Sequence, residues 1–468
     1  MTAVVVIGAG FAGIGMALGL RRAGFTDVTV LERADDVGGV WRDNTYPGAA
    51  CDVPSSLYSY SFAPNASWPR RYAAQPDILA YLRDAAAPVR DLVRLGCDVT
   101  GAAREGGRWR VELAGGEVVE CDVLISAVGQ LSRPAVPDLP GRFGGPAFHS
   151  ARWRHDVDLR GRRVAVIGTG ASAVQFVPHV RQVAERVTVF QRTAPHVLPK
   201  PDRARPSRLL GGRVGRVATW LTGELLTAAL TSGPGSRKAV EALTALHRFW
   251  RVRDPVLRAK LIPGAPAGCQ RLLFSNDWYP ALTRPDVDVV TSPVTGLTEH
   301  GVRTADGVEH PADVLVYGTG FAAADFLAPL RVRGRDGREL ADAWAGGARA
   351  HLGVTVPGFP NLFLLYGPNT NLGGNSVLTM IEAQIRYVLR VLDRLVRAGV
   401  AGVEVRPEVA EAFDAEVQRR LRHSVWSLCS SWYRADGGRI TTNWPGLVWE
   451  YRRRTARADL ADFRAVGG

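Results

Sequence analysis

The sequence contains no apolar run of the roughly 18 residues that a membrane-spanning helix needs. It begins with a strand-like segment, Ala3 to Ile7, and not with the basic and apolar leader of a secreted protein. These absences favour a cytoplasmic protein without a membrane span. The 468 residues exceed what one hydrophobic core usually organises, so we expect two or three domains.

Cysteine is scarce, and its spacing shows no pairing motif. There are five, Cys51, Cys97, Cys121, Cys269 and Cys429, without a CxxC pair or a His/Cys cluster of zinc-ligand spacing. We therefore expect no metal site, no disulfide scaffold and no redox-active dithiol.

Lysine is nearly absent. Only Lys200, Lys238 and Lys260 occur among the 58 basic residues, and the net charge is +13. The arginines are scattered and form no long basic block, so the charge does not predict a nucleic-acid partner. Some positive potential would instead suit a small ligand that carries phosphate groups.

Two strand–glycine turn–helix patterns are present, about 160 residues apart. In the first, a buried strand from Ala3 to Ile7 leads into Gly8, Gly10 and Gly13, and a helix follows to about Ala23. A second strand, Val28 to Leu31, ends in Glu32. Glycines let the backbone approach a pyrophosphate, and the helix N-terminus offers it free N–H groups.

The second pattern repeats this order with small changes. The strand Val164 to Ile167 leads into Gly168, Thr169 and Gly170, and the helix begins near Ala171 and Ser172. Ala173 replaces the third glycine, and alanine still permits close helix–sheet packing. The next strand, Val187 to Phe190, is followed by Gln191, Arg192 and Thr193.

The two second strands end in residues of opposite charge. Glu32 can accept hydrogen bonds from ribose hydroxyls, whereas Arg192 can pair with a 2′-phosphate. We therefore predict two different dinucleotides, FAD in the first unit and NADPH in the second.

The order of the patterns predicts an α/β fold with one Rossmann-like domain inserted in another. Similar strand and turn segments at 121–141 and 312–321 read as the two crossovers between them. The expected boundaries are 1–145 and 321–468 for the FAD domain and 146–320 for the NADPH domain. Residues 200–268 lose the βαβ order, and Val217 to Leu230 predicts an amphipathic helix that packs on the core or substrate side, not on a membrane.

Two longer motifs carry a family resemblance. The first consists of Gly39, Trp41, Tyr46, Pro47, Gly48 and Asp52, and the second of Phe143, Gly145, His149 and Trp153. In this order and spacing they resemble the fingerprints of the Baeyer–Villiger monooxygenases, and the resemblance covers nearly the whole chain. Arg154 departs from the proline or aspartate that closes the second fingerprint.

The resemblance implies an enzyme with non-covalently bound FAD that oxidises NADPH. Reduced flavin takes up O₂ as a C4a-peroxide, which attacks a ketone and yields an ester or a lactone. It implies catalytic roles for Arg271, as the cation beside the peroxide, and for Asp52, which holds that arginine. Gln270 stands where many relatives carry a lysine beside the 2′-phosphate, which leaves Arg192 and Thr193 to recognise it.

The resemblance also implies that Asp52, Tyr58 and Val99 contact FAD. Trp41 can supply a flat apolar wall, and the alternation of Tyr58 and Tyr60 predicts a half-buried strand. His149 and Trp153 couple NADPH position to the flavin. Trp432 contacts NADP⁺ from a mobile loop at 430–446.

Three other functions fit parts of the sequence. The same site can oxidise sulfur or nitrogen in a soft nucleophile. A pyridine-nucleotide disulfide reductase shares the two-dinucleotide plan but needs a dithiol, and a non-catalytic flavin-binding regulator needs neither Asp52 nor Arg271. The apolar composition around the predicted pocket favours a largely apolar ketone.

Overall fold

The structure is a computed structural model that describes residues 2–202, 212–231, 233–429 and 438–466. Trp432 lies outside the described residues, and the predicted loop at 430–446 is described only from residue 438 onward.

A parallel five-stranded sheet organises the first unit. Its spatial order is β19–β7–β1–β2–β3. The strands are β1 (Val4–Ile7), β2 (Val28–Leu31), β3 (Val93–Arg94), β7 (Val123–Ser126) and β19 (Leu362–Leu364). Strand β1 is apolar and fully buried, as a central parallel strand covered on both faces should be.

A second parallel five-stranded sheet lies between these segments in the chain. Its order is β13–β10–β9–β17–β8. The strands are β8 (Ala147–His149), β9 (Arg163–Ile167), β10 (Arg186–Phe190), β13 (Val287–Val290) and β17 (Val314–Tyr317). Because β19 returns to the first sheet after β17, the order of strands along the chain agrees with an inserted second unit.

Smaller sheets and helices complete the described residues. The other strands are β4 (Val99–Glu105), β5 (Arg108–Leu113), β6 (Val118–Cys121), β11 (Val197–Leu198), β12 (Leu273–Phe274), β14 (Val294–Thr298), β15 (Gly301–Thr304), β16 (Glu309–Pro311), β18 (Arg331–Arg333), β20 (Gly402–Val405) and β21 (Phe463–Val466). The α-helices are α1 (Phe11–Arg22), α2 (Val40–Asp43), α3 (Gln75–Ala86), α4 (Ala171–Val180), α5 (Arg213–Thr231), α6 (Pro234–Arg251), α7 (Pro255–Lys260), α8 (Trp278–Leu282), α9 (Leu340–Ala343), α10 (Val377–Ala398), α11 (Pro407–Arg422) and α12 (Val448–Arg454).

The two connections between the units run side by side. Ala135 donates its backbone N–H to Gly320 O at 2.9 Å, and Ala322 donates to Arg133 O at 3.0 Å. The Thr319 hydroxyl adds a hydrogen bond to Ala135 O. These hydrogen bonds hold the two connecting segments next to each other between the units.

The predicted helical insert is present as α5, α6 and α7, and none of the described helices is long and apolar enough to cross a bilayer. Residues 217–230 pack on the core and on the pocket side, as predicted, through Leu226 and the buried Leu230. The same helix leaves Val217, Leu221 and Leu225 exposed, while Arg216, Glu224 and Thr227 also face the protein.

The structure contains one disulfide that the cysteine spacing did not predict. Cys269 and Cys429 are bonded, with their Cα atoms 5.5 Å apart and 160 residues between them in the chain. Tertiary packing, and not local spacing, brings these two sulfurs together. The pair joins the loop before Arg271 to the segment that follows α11.

Candidate functional site

The first glycine turn is shaped by close backbone contacts. A Cβ at Gly13 would lie 1.8 Å from Gly8 O, and Gly8 itself has φ +100° beside Ala127 O. A Cβ at Gly10 would meet only Gly39 Cα, at 3.7 Å. Gly10 is the N-cap of α1, and no described side chain caps that helix. Gly8 and Gly13 are therefore required by the fold, whereas Gly10 leaves room for a ligand at the helix N-terminus.

Glu32 lies at the end of β2, buried beside this turn. Its carboxylate accepts hydrogen bonds from Ala9 N at 2.8 Å and Ala34 N at 3.1 Å. The Arg42 guanidinium donates to the same carboxylate at 3.1 Å. Arg42 was not predicted, because the Gly39–Asp52 motif specifies no residue at its position and its contact with Glu32 depends on the tertiary turn.

The second glycine turn follows β9 in the same way. A Cβ at Gly168 would lie 2.4 Å from Gly318 O, whereas one at Gly170 would meet only that oxygen at 3.7 Å. Gly170 caps α4, again without a capping side chain. A Cβ at Gly318 would lie 3.2 Å from the Ala173 Cβ, so a glycine across the turn accommodates the alanine that replaces the third glycine.

Arg192 and Thr193 follow β10 at the edge of this turn. The Thr169 hydroxyl donates to Thr193 O at 2.9 Å and fixes the two loops together. Arg192 is exposed, and no ion pair joins it to another described residue. Ser172 is half-buried in the first turn of α4.

Trp41 and Tyr58 come together beside the first turn. Trp41 Nε1 donates to the Tyr58 hydroxyl at 3.1 Å, and Tyr58 packs edge-on against Phe11. The expected strand through Tyr58 and Tyr60 is wrong, because residues 51–60 form turns. Tyr60 is fully buried in the core, where its hydroxyl donates to Phe11 O at 2.6 Å.

The Tyr-Pro-Gly segment connects the two units. The Tyr46 hydroxyl donates to Gln175 Oε1 at 3.0 Å, and Gln175 Nε2 donates to Ala50 O at 2.9 Å. A Cβ at Gly48 would lie 2.4 Å from the His179 ring. Gln175 and His179 belong to α4, so the motif that precedes Asp52 packs directly on the helix of the second unit.

Asp52 and Arg271 form a bidentate ion pair. Arg271 Nε and Nη2 each donate to one Asp52 carboxylate oxygen at 2.7 Å. The Arg271 side chain is 42% exposed and that of Asp52 23%. Burial alone would raise the pKa of Asp52, but the Arg271 charge outweighs it and holds the pKa below its usual range. The carboxylate therefore stays ionised and fixes the guanidinium.

A second cation, Lys200, lies near this pair and was missed from the sequence. Its Nζ lies 4.8 Å from the centre of the Tyr72 ring. Its backbone N–H and C=O both bond the Asn276 side-chain amide. Burial lowers the pKa of Lys200, and the charges of Asp202 and Asp52 oppose that effect. The scarcity of lysine in a chain that otherwise uses arginine was the feature of the sequence that could have pointed to Lys200.

The ion pair opens on a small pocket. The lining residues are Asp52, Val53, Leu226, Arg271, Leu272, Phe274, Gly373, Gly374 and Asn375. Asn375 Nδ2 donates to Glu224 Oε1 at 2.7 Å, and Glu224 is the only acidic residue in α5. The same carboxylate accepts Val448 N, at the start of α12, at 3.1 Å. Glu224 thereby holds the insert and the C-terminal part against one side of the pocket.

His149 and Trp153 lie at the edge of the second sheet. His149 ends β8, is buried, and accepts Ala151 N at 3.1 Å through Nδ1. Its ring packs on Phe321, in the return crossover, with centroids 5.6 Å apart. Burial lowers the pKa of His149, the Gly320 backbone opposes that effect and the Arg152 charge adds to it.

Trp153 packs on Phe176 of α4 with ring centroids 5.4 Å apart, and Tyr46 contacts the same phenylalanine at 6.0 Å. Arg154, the departure from the fingerprint, is exposed and bonds Asp156. Val99 begins β4 and is half-buried, next to the core of the first unit.

Comparisons with known proteins place this geometry in a family. A family model described as pyridine nucleotide-disulphide oxidoreductase matches residues 5–207. A Baeyer–Villiger monooxygenase of Streptomyces coelicolor is 45% identical over 480 residues, which cover 99% of this chain and 92% of the relative. One of Pseudomonas aeruginosa is 41% identical over 479 residues, which cover 98% and 90%.

The chain belongs to the Baeyer–Villiger monooxygenases. A solved structure titled oxidized steroid monooxygenase bound to NADP has a TM-score of 0.88 and 33% identity, with all of both chains covered. A complex of OTEMO with FAD and NADP reaches 0.89 at 30% identity over 99% of each chain. The cyclohexanone monooxygenase of Rhodococcus sp. Phi1 bound to NADP⁺ reaches 0.88 at 28% identity, covering 100% of this chain and 99% of that one.

The family, the two-dinucleotide α/β fold and the class of flavin-dependent monooxygenase predicted from the sequence are thereby confirmed. The match to the pyridine nucleotide-disulphide oxidoreductase model ends at residue 207. It therefore does not include the disulfide between Cys269 and Cys429, and the assignment to the Baeyer–Villiger monooxygenases is unchanged.

Proposed function

We propose that this Baeyer–Villiger monooxygenase uses NADPH and O₂ to convert a largely apolar ketone into an ester or a lactone. The observation that carries the proposal is the bidentate pair of Arg271 and Asp52 at a pocket partly lined by Leu226, Leu272 and Phe274. A fixed cation at an apolar pocket stabilises negative charge that develops on a reacting oxygen.

FAD fits the first unit. Gly10 leaves the α1 N-terminus open to a pyrophosphate, and Gly8 and Gly13 shape the turn beside it. Glu32 is the proposed partner of the ribose hydroxyls. Trp41, Tyr58, Val99 and the Asp52 backbone are the proposed contacts around the rest of the cofactor. When bound, FAD supplies the transfer of electrons from NADPH to O₂ and of an oxygen atom to the substrate.

NADPH fits the second unit. Gly168, Thr169, Gly170 and Ser172 surround the α4 N-terminus, which is the proposed pyrophosphate site. Arg192 and Thr193 are proposed to bind the 2′-phosphate, because Arg192 is exposed and Gln270 supplies no charge. Trp432 remains a proposed contact outside the described residues.

We propose that the Arg271 guanidinium supplies the positive charge beside the reacting oxygen. Asp52 orients the guanidinium through both oxygens and keeps it from turning away. Lys200 adds positive potential beside the same carboxylate. The apolar side chains of the pocket limit water around these charges, which strengthens their effect on the substrate.

His149 and Trp153 are proposed to couple the two units and not to exchange protons with substrate. Trp153 contacts Phe176 of α4, and Tyr46 of the first unit contacts the same ring. A movement of α4 with bound nucleotide would therefore reach the segment that ends in Asp52. The boundaries at residues 145 and 320 and the cytoplasmic location also stay predictions.

The direct test is product analysis with isotopically labelled O₂. The protein is incubated with FAD, NADPH and a panel of apolar ketones and thioethers, and products are identified by mass spectrometry. We expect an ester or lactone that carries one labelled oxygen atom. Sulfoxide or N-oxide formation without any ester would favour oxygenation of a soft nucleophile instead. Hydrogen peroxide as the sole product with every compound would contradict the oxygenase proposal.

A further inference from the structure

The helical insert exposes a large apolar surface. Among the described residues, ten of the nineteen exposed large apolar side chains lie between positions 214 and 262. This set, the insert face, consists of Val214, Val217, Leu221, Leu225, Leu243, Leu246, Phe249, Trp250, Val256 and Ile262. Exposed apolar residues are common singly, but their concentration on one subdomain marks a contact surface.

Helix α5 contributes one side of the insert face. Val217, Leu221 and Leu225 follow one another at a spacing of four, so they lie along one stripe of the helix. Arg216 and Glu224 project the other way. Arg216 donates to Ser59 O at 2.9 Å, and Glu224 bonds Asn375 in the pocket wall. The packed side of α5 thus carries Arg216 and Glu224 together with the buried Leu230, while the apolar stripe faces outward.

Helix α6 also exposes an apolar side. Its buried side holds Val240 and Thr244, and the Thr244 hydroxyl lies 3.0 Å from His196 Nδ1. Leu243, Leu246 and Trp250 are exposed on the other side, Trp250 by 72%. Two helices that still expose a large apolar side after packing on the protein are suited to an apolar environment outside it.

The apolar surface continues between α6 and α7. A groove of about 550 Å³ lies there. Its lining includes Ala242, Leu246, Phe249, Pro255, Ala259 and Ile262. The Arg258 guanidinium lies 5.0 Å from the Phe249 ring centre, at the edge of this groove.

The insert face is surrounded by positive charge. Residues 212–262 contain nine basic side chains, of which Arg216 packs inward and pairs with Glu382. The other eight are Arg213, Arg237, Lys238, Arg248, Arg251, Arg253, Arg258 and Lys260. The three acidic ones are Glu224, Glu241 and Asp254. Glu224 is buried, and Asp254 accepts the N–H groups of Val256 and Leu257. Glu241 pairs with Arg237 and accepts the N–H of Ala267. Little negative charge remains to offset the arginines at the surface.

This charge decides which partner suits the apolar surface. A second copy of the chain, packed face to face, would set the same basic residues against each other without acidic partners. An anionic bilayer surface offers both an apolar layer and neutralising phosphates. Tryptophan and phenylalanine favour that interface, and arginine and lysine favour its negative surface potential. We propose that the insert face docks in the plane of an anionic lipid bilayer.

The docked surface would lie close to the proposed reaction site. Leu226 lines the pocket beside Arg271, and its neighbour Leu225 is exposed on the insert face. One helix, roughly 10 Å across, therefore separates the bilayer surface from the pocket. Docking itself is a binding property and does not depend on which substrate is oxidised.

The test is flotation of the purified FAD-loaded protein with lipid vesicles. Vesicles of phosphatidylcholine alone are compared with vesicles that also contain phosphatidylglycerol. We expect binding to the anionic vesicles, and we expect added salt to weaken it. The double substitution Leu225→Ser with Trp250→Ser should lower the partition coefficient by at least about tenfold, because two large apolar side chains no longer insert.

A matched control is Val136→Ser with Val396→Ser, two exposed apolar residues away from the insert. It should bind vesicles like the original protein, and both double variants should keep the original melting temperature and NADPH oxidation rate. Equal flotation with neutral and anionic vesicles would overturn the proposal. An absence of flotation would also overturn the proposal. If sedimentation then showed a dimer that Leu225→Ser with Trp250→Ser dissociates, the insert face would be an interface between two copies of the chain.

Discussion

The two dinucleotide units use the same turn but complete it differently. In the first unit the strand-end acid, Glu32, is buried and bonded by Ala9 N, Ala34 N and Arg42. In the second, Arg192 is exposed and has no ion-pair partner among the described residues. Contacts within the protein therefore hold the Glu32 carboxylate in place, whereas the Arg192 guanidinium is exposed at the surface of its site. That difference suits a cofactor that stays bound and a coenzyme that must leave in every cycle.

The third turn position gives the same contrast. Gly13 has no room for a side chain because a Cβ there would lie 1.8 Å from Gly8 O, whereas Ala173 is accommodated opposite Gly318. The third position of two similar sequence patterns thus differs in whether it accepts a side chain, because the residue across the turn differs.

The largest expected effect comes from Gly13→Ala. The methyl group would meet backbone that cannot move aside, so we expect a loss of about 3 kcal/mol or more in the free energy of unfolding and little bound FAD. The matched change in the second unit, Ala173→Gly, removes a methyl that Gly318 accommodates and should cost about 1 kcal/mol. Urea unfolding of both variants measures the comparison. Equal losses would show that the two turns are packed alike.

Substitutions of the two strand-end residues, Glu32 and Arg192, should each affect the binding of only one cofactor. Glu32→Ala leaves Ala9 N and Ala34 N without their acceptor, so we expect a purified protein that is depleted in FAD. Arg192→Ala should leave FAD content unchanged and raise KM for NADPH by about tenfold with a similar kcat, because a charge-assisted contact is lost. Kinetics with NADH provide the control, since that coenzyme has no 2′-phosphate. An equal rise of KM for NADH would contradict the role of Arg192.

The smallest expected effect is a pH dependence in the second unit. Burial lowers the pKa of His149, so the folded protein favours the neutral ring. As pH falls below about 6.5, the unfolded chain takes up this proton first, and folding stability decreases. His149→Asn should therefore lose less stability between pH 7.5 and 5.5 than the original protein, as measured by urea midpoints. The exposed His300 is the control position, and a matching effect of His300→Asn would contradict the assignment.

The sequence predicted the parts of this molecule that depend on local order. The two strand–turn–helix units were predictable because glycine position and hydrophobic periodicity act over a few residues. The pairing of Asp52 with Arg271, 219 residues apart, followed from the family resemblance and not from local pattern.

Other features arise from contacts that no local pattern encodes. Arg42 on Glu32, Gln175 beneath Tyr46 and the Cys269–Cys429 disulfide each join segments that meet only in the folded chain. Helix α5 shows the same limit. Its periodicity predicted amphipathic character, but which residues face inward is set by tertiary partners such as Asn375.

The central claim is that Arg271, held by Asp52, directs oxygen to the substrate. The measurement is the amount of oxygenated product formed per NADPH consumed, with the anaerobic rate of FAD reduction recorded on the same samples. We predict that Arg271→Ala keeps most of the reduction rate but forms almost no product and releases hydrogen peroxide, and that Arg271→Lys recovers part of the yield. Full product yield from Arg271→Ala would contradict the account.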